Sequence, residues 1–159
     1  MPLYVSGTRP SALPRYEGDG SNAREPWWKT PYGRWRLSVE VEAMKRFPDF
    51  QSCCGPHGHL AWIGSLRSSL NPKRSYLVTV TYADAFPDEA PLVSIVEPEL
   101  SQGTPHLLEG NRPCLYTRHG RHGYEPARTT AATLVAWTAL WIHAYETWRA
   151  TGSWPGAED

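Results

Sequence analysis

The stretch Ser75–Tyr82, SYLVTVTY, alternates residue by residue. Tyr76, Val78, Val80 and Tyr82 share one face, and Leu77, Thr79 and Thr81 share the other. A period of two over eight residues specifies a strand with one face to bury. Two further apolar stretches flank it, HLAWIGSL (His59–Leu66) and PLVSIVEP (Pro91–Pro98). Asn71-Pro72-Lys73 and Phe86-Pro87-Asp88 between them are turn material. Successive strands with such short links predict a three-stranded antiparallel meander.

Helical periods bracket the meander. In residues 33–47, GRWRLSVEVEAMKRF, the positions Leu37, Val41, Met44 and Pro48 recur at helical spacing, with Arg34, Glu40, Lys45 and Arg46 mostly off that stripe. An amphipathic helix stopping before Pro48 is preferred; a strand is the rival, because Leu37, Val39 and Val41 also alternate. Near the other end, Leu134, Trp137, Trp141, Tyr145 and Trp148 form one stripe, with Thr129 or Thr130 placed to cap the start and Gly152 the end. Core packing is the expected use of that stripe. The predicted class is therefore α+β: N-terminal helix, antiparallel β-meander, long loop, C-terminal helix.

The 159 residues suit one domain, assigned to 33–159, preceded by an irregular arm over 1–32 that Tyr4, Trp27, Trp28 and Tyr32 are placed to pin. Sixteen basic residues balance sixteen acidic ones, so bulk charge draws the chain toward neither nucleic acid nor membrane. No apolar run approaches the roughly 20 residues that span a bilayer, and the first residues lack a signal-peptide core. Three cysteines argue against a disulfide scaffold, and a cytoplasmic location is expected.

Two cysteine settings carry chemistry. Cys53-Cys54-x2-His57-x-His59 offers four soft ligands within seven residues, a conceivable zinc site, but the spacing is too tight for one tetrahedron and a loop entering the first strand is expected. Cys114 sits in NRPCLY, inside the Pro- and Gly-rich segment Gln102–Pro126. Long irregular segments in compact domains tend to be functional. Arg112, Arg118, His119, Arg121 and His122 are its sequence neighbours, and positive charge favours a thiolate, the nucleophilic form. By itself, a single cysteine is more often a small buried hydrophobe than a nucleophile.

The order of these marks resembles the ubiquitin-conjugating enzymes over about residues 34–156. Phe86-Pro87, Pro91-Leu92-Val93, His106, Cys114-Leu115 and Tyr124-Glu125-Pro126 follow that family's sequence of landmarks. The ending YETW-x4-GSWPG (Tyr145–Gly156) is similar to the bacterial branch associated with CBASS antiphage operons. The resemblance implies a UBC-like fold and Cys114 as catalytic cysteine, with His106, Asn111, His119 and His122 as residues supporting the loop or the transition state. It implies no cofactor and no metal. The implied partners are a separate activating enzyme, a ubiquitin-like modifier or a nucleotidyltransferase C-terminus, and a target amine. One departure stands out: His106 is followed by Leu107-Leu108, so the family's Asn is missing there, and backbone N–H groups near Cys114 or the Arg118–Arg121 segment are the substitutes to look for. The chain also lacks a Gly-rich nucleotide loop for activating its own substrate. Other readings are a catalytically silent docking module, a zinc-stabilised adaptor, and a papain-like hydrolase, whose nucleophile normally opens a helix.

Overall fold

The computed structural model describes residues 25–54, 58–116 and 123–156. Among them a 3-10 turn, Trp27–Lys29, leads into α1, Pro31–Met44. Thr30 caps this helix through its Oγ1, which accepts the N–H of Gly33 at 3.0 Å. Pro31 stands at the first helical position, where a missing N–H costs nothing. The helix thus starts two residues before the predicted 33 and ends three before 47, and the strand rival for this segment is excluded.

Four strands follow: β1 Gln51–Cys54, β2 Leu60–Arg67, β3 Ser75–Thr81 and β4 Leu92–Glu97. They pair antiparallel in the order β1-β2-β3-β4. The meander was expected with three strands; the fourth is β1, whose QSCC has no apolar period of its own and is ordered by pairing Ser52 with Trp62 and Cys53 with Ala61. The segment expected as a loop before the first strand is, up to Cys54, itself a strand. The predicted irregular stretch 102–126 is likewise interrupted, by the hairpin of β5 Leu107–Leu108 and β6 Arg112–Pro113.

The alternation of β3 is realised in burial. Tyr76, Val78, Val80 and Tyr82 are buried, and the row Trp62, Val80, Val93 crosses three strands in register. Against this face lie Leu37, Val41 and Met44 of α1 and Leu134, Val135, Trp141, Ile142 and Tyr145 of α2, Ala131–Thr151. A reciprocal pair of hydrogen bonds between Thr130 and Thr133 starts α2, and Gly152 ends it at φ 79°, a left-handed conformation suited to glycine. No helix among the described residues is long and apolar enough to cross a membrane.

Two polar groups on α1 overturn the expected polar face. Arg36 and Glu40 are fully buried. Positions 36, 37, 40, 41 and 44 form a single inward stripe, so the helix buries an ion pair where the sequence pattern placed Glu40 outside. On α2, Glu146 accepts the hydroxyls of Ser68 and Tyr76, each at 2.6 Å, and fastens the helix to the β2–β3 connection.

Gly33 holds the entry turn against α1: a Cβ there would stand 1.5 Å from the carbonyl oxygen of Trp27. Backbone cannot swing aside as a side chain does. Gly33→Ala is therefore expected to cost about 3 kcal/mol, the upper end for overpacking, as a lowered urea midpoint. An unchanged midpoint would contradict this packing.

Candidate active site

Cys114 directly follows β6. Its N–H donates to the carbonyl of His106 at 2.8 Å, extending the β5–β6 ladder by one pair beyond Leu107–Pro113. The same carbonyl accepts the indole N–H of Trp141 at 3.0 Å. One oxygen thus ties the cysteine's backbone to the middle of α2. His106 reaches this position at φ 54°, in the left-handed region. Its ring is exposed and lies against Trp154, with centroids 5.0 Å apart. The turn that follows α2 folds back so that Trp154 also packs on Trp141 at 5.4 Å.

The thiol is half-buried, and its Sγ donates to the Tyr116 carbonyl at 3.6 Å. It opens on a groove of about 380 Å³ walled by Leu115, Trp137, Leu140, Trp141, Ala144 and Trp154. Tyr116 stands edge-on to Trp137, at 5.9 Å between rings. Burial, and secondarily the neighbouring Cys114, pushes its phenol upward, so Tyr116 keeps its proton at neutral pH. A smaller cavity of about 250 Å³, lined in part by Trp27, Trp28 and His59, lies on other elements and does not include the thiol.

The predicted supporting residues fall into three groups. His106 is opposite Cys114 and acts on it through a main-chain oxygen. Asn111 occupies the β5–β6 turn at φ 54°, and its carbonyl accepts the Ile95 N–H at 3.0 Å, fixing the hairpin to β4. His119 and His122, with Arg118 and Arg121, lie outside the described residues. Of the nearby cations, Arg112 donates its Nε to the Glu109 carbonyl at 2.9 Å. The N–H of Cys114, one of the expected backbone substitutes for the missing Asn, is already committed to His106.

The segment that resumes at Gly123 is fastened from both sides. The Tyr124 hydroxyl donates to the Pro87 carbonyl. Arg36 donates through Nη1 to Pro126 O at 2.8 Å and through Nη2 to Thr129 O at 2.6 Å. The Phe86-Pro87 and Tyr-Glu-Pro marks therefore meet in space.

Among the described residues, Cys53, Cys54 and His59 are not gathered into one site. Cys53 and Cys54 are consecutive in β1, so their side chains leave opposite faces of the sheet. His57 lies outside the described residues, and His59 pairs through Nε2 with Asp84 at 2.9 Å. Burial pushes both thiols up, so they stay protonated.

Sequence reasoning missed the groove. The aromatic stripe places Trp137 and Trp141 in the core, yet only Trp141 is largely buried, and both wall the groove. The signal was available: Trp137, Leu140, Trp141 and Ala144 form an apolar stripe beside the core stripe, wider than one packing face needs. Trp141→Phe removes the indole N–H but leaves His106 O its bond from Cys114. A loss of about 1 kcal/mol is expected, with faster hydrogen exchange at the Cys114 amide; unchanged exchange would mean that Trp141 does not hold this loop.

Two helices packed on a four-stranded antiparallel sheet define an α+β domain with one cysteine on an open groove. The chain belongs to the family of type II CBASS E2 proteins, whose family model matches residues 40–159, more than half of its length. Membership gives it an E2-like role in antiphage defence. No curated protein matches the chain.

Proposed function

We propose that the protein accepts the C-terminus of another protein as a thioester on Cys114 and passes it to an amine, as a conjugation step in CBASS defence. The observation that carries this reading is the setting of the thiol: partly exposed, at the end of an anchored hairpin, in the wall of an open groove. A nucleophile needs access and a fixed backbone, and this one has both.

In the proposed cycle a separate activating enzyme presents an activated carboxyl. The Cys114 thiol gives its proton to solvent and its sulfur attacks the carbonyl carbon; the C–S bond forms and the activating group leaves with its electron pair. An amine, such as a target lysine, then attacks the same carbon. The amide forms, the sulfur departs as thiolate, and the amine's proton passes to a base. His119 or His122 is proposed for that base. His106 and Asn111 are proposed to support the loop through their main-chain carbonyls. The acyl donor is proposed to be a ubiquitin-like modifier or the C-terminus of a cGAS-like nucleotidyltransferase.

The test is a single-turnover reaction with the operon's activating enzyme and acyl donor. An adduct of the two masses less water, removed by dithiothreitol, is expected within one turnover. Absence of any adduct with a demonstrably activated donor would leave the protein a docking module.

A further inference from the structure

We infer that the groove beside Cys114 selects the acyl donor by the residues just upstream of its transferred carboxyl, and that it takes an uncharged, apolar tail about three residues long. The inference rests on the thioester reading above.

The attachment atom fixes the occupant. Once an acyl group is joined to the Cys114 sulfur, the residues preceding that carbonyl must leave through the space in front of the thiol. That space is the groove along α2. Trp137, Leu140, Trp141 and Ala144 recur at helical spacing on the wall of this groove. From Trp137 to Ala144 the helix rises about 10 Å at about 1.5 Å per residue. An extended peptide advances about 3.3–3.6 Å per residue, so the wall matches about three residues of tail.

Its chemistry fixes the class of tail. Apart from the thiol, no lining residue among the described ones is ionisable. A charged side chain laid against this wall would lose water and gain no partner from Leu115, Trp137, Leu140, Trp141, Ala144 or Trp154. Surface helices ordinarily turn polar residues outward, yet Leu140 is 69% exposed on the groove side of α2. The end wall is rigid, because Trp154 is wedged against both Trp141 and His106. An apolar tail covers Leu140 and the indoles and removes that surface from water.

Three synthetic peptide thioesters of 2-mercaptoethanesulfonate test this, ending in Leu-Leu-Gly, Gly-Gly-Gly and Asp-Asp-Gly. In each, the Cys114 thiol loses its proton to solvent, its sulfur bonds to the terminal carbonyl carbon, the existing C–S bond breaks, and mercaptoethanesulfonate leaves as its thiolate. Loading is read by intact mass, with Cys114→Ala as the blank. The leucine tail is expected to load at least about tenfold faster than the aspartate tail, the discrimination typical of an apolar pocket, with the glycine tail between them. Leu140→Lys, at an exposed position that leaves the core intact, is expected to slow the leucine tail, speed the aspartate tail and so collapse the ratio. Equal loading of all three tails on Cys114 would overturn the selectivity and leave the thioester reading standing. A preference for the aspartate tail would overturn it too, and loading of none would count against both.

Discussion

Glu40→Ala is expected to lower the stability of the fold by about 3–5 kcal/mol, the cost of breaking a buried ion pair from one side. Glu40 Oε1 accepts the Tyr82 hydroxyl and the Ala131 N–H, both at 2.8 Å. Ala131 opens α2, so the carboxylate sits at a helix N-terminus, where negative charge is favoured. Trp62 in turn donates its indole N–H to Tyr82 Oη at 2.9 Å. Arg36 Nε lies 3.4 Å from Glu40 Oε2, an ion pair without hydrogen-bond alignment, so neither atom is hydrogen-bonded among the described residues. Truncating Glu40 leaves the Arg36 charge, the Tyr82 hydroxyl and the Ala131 N–H buried with one partner fewer. That loss is a large share of the roughly 5–15 kcal/mol that holds a domain folded.

The pH dependence has a definite sign. Burial raises the Glu40 carboxyl above its ordinary 4.5; its bonds to Ala131 and Tyr82 and the nearby Arg36 oppose this without cancelling it. A raised folded value means that its stabilising contribution is full below 4.5 and drains as pH rises through that higher value. Glu40→Gln keeps an acceptor and does not titrate. The stability of the native protein relative to Glu40→Gln is therefore expected to fall between pH 4.5 and the raised value. Urea titrations of both proteins across this range check it; a difference that grows with pH would mean that Arg36 outweighs burial.

Cys114→Ala is expected to abolish adduct formation entirely, since alanine has no nucleophilic atom. Cys114→Ser keeps an oxygen in nearly the same place, but a hydroxyl is a far weaker nucleophile near neutrality than a thiol with even a small thiolate fraction. Slow loading is expected, and the product is an oxyester that survives dithiothreitol. Cys53→Ser and Cys54→Ser should load as the native protein does, because both lie on β1 and neither lines the groove that opens at Cys114. Native yield from Cys114→Ala would remove the assignment. The Arg36–Glu40 and Cys114 effects separate cleanly: the first appears as unfolding, the second as lost chemistry on a folded chain.

The sequence was informative where a period is local. Tyr76, Val78, Val80 and Tyr82 declare their strand because burial on one face needs nothing but alternation. Thr130 and Gly152 mark the ends of α2 by backbone chemistry intrinsic to those residue types. It was silent where order is borrowed. QSCC becomes β1 only through pairing with β2, and Leu107–Leu108 pairs with Arg112–Pro113 only because Gly110 and Asn111 turn the chain at positive φ. Glu40 was misplaced because a hydropathy stripe treats every carboxylate as solvated, and its partners lie 42 and 91 residues away in Tyr82 and Ala131. The groove was half legible: Cys114 stood out by its loop, whereas the walls were absorbed into an aromatic core stripe.

Mass-spectrometric peptide mapping of the trapped adduct tests the central claim most directly. The account predicts the donor's C-terminal remnant on the peptide that contains Cys114, released by hydroxylamine. A remnant on Cys53, on Cys54 or on a lysine of this chain, with Cys114 unmodified, would contradict it.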